Sequence, residues 1–179
     1  MPASALQTLL DAAQDRALPP VERWNPLREG EIDIRIAANG DWYHEGVLIR
    51  RFAIAKLFAT ILRIDDGIHF LVTPAEKLKI RVDDAPFVAT GMETDGEGRA
   101  RRILFTTNVG DVVLADADHP ILVEDRGGEP RPYVEVRRGL RALIARSVFY
   151  RLVDLACKAP NGEFGVWSGG TRFVLGRGA

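Results

Sequence analysis

Slid against itself by 95 positions, the sequence falls into register without a gap, residues 47–80 lying over residues 142–175. Leu48 meets Leu143, Ile49 meets Ile144, Arg51 meets Arg146, Leu57 meets Leu152 and Gly67 meets Gly162. Apolar character persists where identity is lost, as at Ile54 and Phe149, Phe58 and Val153, Leu71 and Val166, Leu78 and Phe173, and Ile80 and Leu175. Asp66-Gly67 stands opposite Asn161-Gly162, both good turn formers, while Thr73 meets Ser168 and Lys77 meets Arg172. The repeat predicts an α+β fold of two related hairpin-helix-hairpin modules, residues 1–84 and 85–179, the second extended by extra strands. A module this small buries little surface alone, so the two must pack together, and a groove between related modules is a common ligand position.

The local patterns supply the elements. Ser4 precedes the stripe Leu6, Leu9, Leu10, Ala13 and Ala17, and Gln7 is spaced to close a capping box, so a helix opens the chain and ends at Pro19-Pro20. Ile32, Ile34 and Ile36 alternate with Asp33 and Arg35 ahead of Asn39-Gly40 and Trp42-Tyr43-His44, the pattern of a hairpin. From Arg51 the period becomes helical, with Ile54, Leu57, Phe58 and Ile61 expected on the buried face and Lys56 and Thr60 facing away, until Asp65-Asp66-Gly67 stops it. Strands are expected at 69–72, 78–82, 87–92, 102–107, 112–115, 121–124, 133–137 and 140–144, with a chain break at Gly127-Gly128-Glu129-Pro130. A helix over 146–157 and a closing hairpin over 164–167 and 172–175 complete the second copy.

Composition narrows the function classes. A chain of 179 residues, 46% hydrophobic, with 24 Lys plus Arg against 25 Asp plus Glu, is neither disordered nor a polycation. Its longest apolar run, Phe52 to Leu62, is broken by Lys56 and falls short of the roughly 20 residues a spanning helix needs, so membrane insertion is not expected. One cysteine, Cys157, and no basic-then-apolar leader point to a reducing cytoplasm. Polymeric nucleic acid is disfavoured because Asp65, Asp66, Asp83, Asp84, Asp116 and Asp118 dilute any basic stripe.

No catalytic signature emerges, and the reading is of a non-enzymatic protein without a metal or cofactor. His44, His69 and His119 are scattered, and His44-Glu45 lacks the second histidine of a zinc protease motif. Ser168 reads as a turn residue and Cys157 as a packed small hydrophobe. Gly96-Glu97-Gly98 reads as a hairpin tip.

One feature points to a ligand. Lys77, Lys79 and Arg81 alternate with Leu78, Ile80 and Val82, which places three cations on one face of a strand. Arg35, Arg137 and Arg138 lie on other expected strands, and Trp24, Trp42, Tyr133 and Trp167 offer stacking planes. Cations beside aromatic planes suit the phosphates and base of a nucleotide. The candidate site is therefore Lys77 and Arg81, with Arg35, near Trp24 or Trp42 at the seam between modules, with Trp167, His44 and Asn108 as further candidates. The competing reading is a solvated face whose cations are neutralised internally by Asp33 or Glu76, with the tryptophans in the core. His44 is a satisfied structural group before it is, with the right partner, a general base or ligand donor, and Asn108 and Asp111 are turn residues before they are ligand donors.

The chain resembles an uncharacterised bacterial family, domain of unknown function 1285. The resemblance rests on Pro20-Val21-Glu22-Arg23-Trp24-Asn25-Pro26, Ile32-Asp33-Ile34-Arg35-Ile36, Trp42-Tyr43-His44-Glu45-Gly46 and Val72-Thr73-Pro74-Ala75-Glu76-Lys77. Asp84-Ala85-Pro86-Phe87-Val88, Thr107-Asn108-Val109-Gly110-Asp111 and Gly165-Val166-Trp167-Ser168-Gly169-Gly170 extend it. It implies a duplicated α+β core whose C-terminal part is pleckstrin-homology-like, a ligand site between the halves for a nucleotide-like molecule in signalling, and no defined catalytic residues. The expected function is thus a cytoplasmic sensor binding a small anionic, nucleotide-like ligand between its modules. A protein partner held on a pleckstrin-like sheet or groove is the alternative.

Overall fold

The computed structural model describes residues 5–14 and 16–178. Helix α1 (Ala5–Gln14) turns Leu6 into the core. The expected capping box involves Ser4, which lies outside the described residues; Gln7 donates to Asp11 and accepts from Arg102. Pro19-Pro20 then leads into a single 3-10 turn, Val21–Arg23.

The N-terminal module follows as β1 (Arg28–Ile36), β2 (Trp42–His44), β3 (Val47–Leu48), α2 (Phe52–Thr60), β4 (Leu62–Asp65), β5 (Ile68–Val72) and β6 (Glu76–Val82). They form one sheet in the order β3-β2-β1-β6-β5-β4, with β1 and β6 parallel and every other pair antiparallel. Strand β4 corrects the sequence reading, which ran the helix on to Asp65-Asp66-Gly67. The helix ends at Thr60, and Asp66 and Gly67, both at positive φ, make the tight turn from β4 to β5.

The C-terminal module opens with β7 (Phe87–Asp95), β8 (Arg102–Thr107), β9 (Val112–Leu114), β10 (Ile121–Arg126), β11 (Glu129–Arg137) and β12 (Leu140–Ile144). These two meanders join in one sheet, β10-β11-β12-β7-β8-β9, through the parallel pair of β12 and β7. Helix α3 (Arg146–Asp154) and a three-stranded meander, β13 (Cys157–Lys158), β14 (Glu163–Ser168) and β15 (Thr171–Arg177), complete it. The break expected at Gly127-Gly128 is instead a hairpin turn, both glycines at positive φ, with Arg126 opposite Glu129. Pro130 and Pro132 are tolerated in β11 because β12 pairs with it only from Tyr133 onward, so on that side the proline segment is an edge.

One apolar core runs through both modules, joining Ile34, Ile36, Trp42 and Leu62 to Phe87, Phe105, Ile144 and Leu152. The expected face of α2 is half right: Phe58 and Ile61 pack against the core, but Ala55 and Ala59 are the buried residues of the helix, while Ile54 and Leu57 are exposed, Leu57 by 62%. Seven of its nine residues are apolar, so periodicity could not single out a face, and the small alanines are what allow close approach to the core. Ser168 is also more than a turn residue. It is fully buried, donates from Oγ to the Ala115 carbonyl at 2.6 Å and accepts from the Ile103 amide at 2.8 Å, which ties the last meander to the large sheet. Cys157, expected to be packed, is exposed. Among the described residues no helix is long and apolar enough to cross a membrane.

Candidate functional site

The alternation in β6 holds, but its cations are not free. Because β1 runs parallel beside β6, Glu29 stands next to Lys77, Glu31 next to Lys79 and Arg35 next to Arg81. Lys77 Nζ lies 3.0 Å from Asp65 and 3.5 Å from Glu29, and Lys79 lies 3.4 Å from Glu31. Asp83 takes Arg35 at 2.6 Å and Arg81 at 3.7 Å, and Arg35 also stacks over Tyr43. The expectation of three uncompensated cations is therefore corrected: internal carboxylates neutralise them, although these are Glu29, Glu31, Asp65 and Asp83. Glu76 instead faces Arg28. A signal was present in the sequence, since Glu29, Glu31 and Asp33 alternate with the same period of two as Lys77, Lys79 and Arg81.

Lys77 also belongs to a network that reaches Trp24. Arg63 donates to the carbonyls of Val21 and Trp24 and, with a second nitrogen, to Asp65 at 2.7 Å, while Asp65 receives Lys77 from the other side. Burial works to raise the Asp65 pKa, but the hydrogen bonds and charges of Arg63 and Lys77 outweigh it and hold the carboxyl below its ordinary value. Lys77 and Trp24 are thus joined, but through a salt-bridged link that uses their polar groups.

The seam between the modules is held elsewhere. Asn108, in the β8–β9 turn, accepts from the Val88 amide through Oδ1 and donates through Nδ2 to the Gly40 carbonyl of the first module. Gly40 is required there: it has a φ of 90°, and a Cβ on it would stand 2.5 Å from Asn108 Nδ2. Arg137 reaches across in the other direction, donating to the Ala59 carbonyl at the C-terminal end of α2, where a cation complements the helix dipole. Arg138 pairs with Glu22.

Beside the Asn108 contact a cleft of about 450 Å³ opens between the modules. Trp42, Ile49, Phe52 and Ala55 form its apolar wall on the first module, Asn108 and Val109 close it from the second, and Arg50 and Asp41 stand among its polar groups. Trp42 packs on Phe58 with ring centroids 6.1 Å apart, and its buried indole N–H meets no acceptor among the described residues. An unmatched buried donor costs about 1–3 kcal/mol. Arg50 is exposed and forms no ion pair among the described residues.

Of the eight candidates, Trp42 and Asn108 line this cleft, and Arg35, Lys77 and Arg81 share the β1–β6 face. Trp24 is partly exposed beside the 3-10 turn, Trp167 carries Arg99 at 4.8 Å over its ring, and His44 is exposed at the end of β2. Arg50 was missed. It sits where strand passes into helix, a junction that alternation and helical period each treat as outside their range.

With this geometry in hand, the chain can be compared with known families. The model of the N-terminal domain of the DUF1285 family, of unknown function, matches residues 19–85, and that of its C-terminal domain matches residues 86–175. The chain belongs to the DUF1285 family. A crystal structure of a DUF1285 family protein from Silicibacter pomeroyi DSS-3 is 46% identical, with a TM-score of 0.86 over 94% of each chain. Another, from Shewanella baltica OS155, is 28% identical with a TM-score of 0.54, covering 68% of this chain and 90% of that one. No curated protein matches the sequence significantly.

Proposed function

We propose that this protein is a non-enzymatic sensor that binds a small anionic, nucleotide-like ligand in the cleft between its two modules. The observation that carries the reading is the cleft itself, which sets an aromatic residue with an unmatched N–H, Trp42, beside an unpaired cation, Arg50. Its volume falls within the range of small-molecule sites. Arg50 takes over the role that the sequence assigned to Lys77 and Arg81, because it alone among these cations is left uncompensated beside the cleft. A cytoplasmic signalling role fits a binder of this kind.

The proposal includes an internal duplication. Support comes from the element order β3-α2-β4-β5-β6, which recurs as β12-α3-β13-β14-β15; β6 and β15 span Glu76–Val82 and Thr171–Arg177, both ends 95 residues apart. A pleckstrin-homology-like C-terminal module is supported by two successive antiparallel meanders followed by a single helix. A second reading, a protein-binding face, draws on the exposed Val47, Phe52 and Leu57 around β3 and α2.

Thermal shift against adenosine and guanosine mono-, di- and triphosphates and their cyclic monophosphates tests the ligand reading. A nucleotide at 100 times its Kd should stabilise by about 2.7 kcal/mol, and Arg50→Glu should remove the shift. No shift with any of them, or a shift that survives Arg50→Glu, would overturn it.

A further inference from the structure

On the far side of the β8–β9 turn from Asn108 lies a second cavity, of about 320 Å³. Asn108 and Val109 line the first cleft, whereas Gly110 and Asp111 line this one, together with α1, α2 and β11. Three cations enter it, Arg16, Lys56 and Arg137, against one carboxylate, Asp111. Both oxygens of that carboxylate are already engaged, Oδ1 by Arg16 at 3.2 Å and Oδ2 by Arg137 at 2.8 Å, and the side chain is only 11% exposed. Arg137 spends its other terminal nitrogen on the Ala59 carbonyl. Lys56 has no ion pair among the described residues, and its Nζ lies 3.7 Å from where a Cβ on Gly110 would be. The cavity therefore carries an excess of positive charge near low-dielectric walls, a setting that concentrates anions. Its other walls are apolar: Leu9, Leu18, Val112, Val113 and Val136.

We propose that this second cavity binds a small amphiphilic anion, its charged head between Lys56 and Arg16 over Gly110 and its apolar body against Leu9, Leu18, Val113 and Val136. A charged head there gains charge-assisted hydrogen bonds from donors that Asp111 leaves unused. The apolar body removes from water a wall that an inorganic ion would leave wet. The site shares no cation with the Trp42 cleft and stands or falls independently of it.

Calorimetric titration with hexanoate, hexyl phosphate, hexanol and inorganic phosphate tests this. Hexanoate or hexyl phosphate should bind at least tenfold more tightly than hexanol and inorganic phosphate, the better of the two identifying the head. Lys56→Gln should weaken that binding at least tenfold and Lys56→Glu abolish it, while Lys56→Arg retains it and Arg50→Glu leaves it unchanged. Lys56 makes no ion pair and only a long cation–π contact, 5.9 Å to the exposed Phe52 ring, so all three Lys56 variants should stay folded and melt close to the wild type. Failure of both amphiphiles to bind, equal binding of hexanol, binding that survives Lys56→Glu, or equal loss on Arg50→Glu would overturn the proposal.

Discussion

Helices α2 and α3 occupy matching places in sequence, yet Leu57 is 62% exposed and its counterpart Leu152 is wholly buried. The difference lies in what stands beside each helix. In the C-terminal module β7 pairs with β12 and α3 packs against it, with Arg151 donating to the Met92 carbonyl. In the N-terminal module β3, the strand corresponding to β12, is the last in its sheet. Similar local patterns therefore accompany the same order of elements, whereas burial is set by the strands that stand around them. The side left bare in the first module is where the Trp42 cleft opens, lined by Leu48, Phe52 and Ala55.

The largest test of this contrast is a pair of truncations. Leu152→Ala should cost about 2–5 kcal/mol, as for a fully enclosed leucine, whereas Leu57→Ala should stay within about 0.5 kcal/mol of wild type. Urea unfolding of both variants measures the difference, and equal costs would break the comparison. Next come the matched hydroxyls, Ser168 and Thr73. Ser168→Ala strips two buried hydrogen bonds and should cost about 1–3 kcal/mol. Thr73→Ala loses only bonds within a surface turn, to Ala75 and Glu76, and should cost about 0.5–1 kcal/mol.

The smallest effect concerns pH. His69 in β5 matches Phe164 in β14, and burial holds its imidazole below its ordinary pKa of 6.5. In that situation the unfolded chain takes up the proton first, so stability is full above about pH 6.5 and falls as pH drops from there toward the folded-state pKa. His69→Phe, which copies the second module, should flatten the fall in urea midpoint on acidification. An unchanged slope would mean that other groups set it.

The three helices and most hairpins were legible because alternation, helical period and Asn-Gly or Asp-Gly turns are local signals, but the last helix was expected to run on to Cys157, whereas it ends at Asp154 and Cys157–Lys158 forms a short strand that turns the closing hairpin into a meander. The buried face of α2 was legible only at Phe58 and Ile61, since an apolar helix such as Phe52–Thr60 gives periodicity little to choose between. Nor was the fate of Lys77, Lys79 and Arg81, which depends on β1 pairing with β6 across 45 intervening positions of chain between Glu31 and Lys77. Trp42 and Asn108 were found as residue types suited to a ligand, but that they line one cleft is a tertiary fact. Arg50 and Lys56 matter because of which carboxylates fail to reach them, and no local pattern encodes that.

The chain has three tryptophans, Trp24, Trp42 and Trp167, which stand at three of the four places where a stacking plane was expected. Their indole N–H signals in a 15N-correlated NMR spectrum report on the ligand-binding claim directly during titration with the nucleotide giving the largest thermal shift. The account predicts that the Trp42 indole and the Asn108 side-chain amide move together and saturate, while Trp24 and Trp167 stay in place. Movement of Trp24 without Trp42 would return the ligand to the β6 face and contradict the assignment of the cleft.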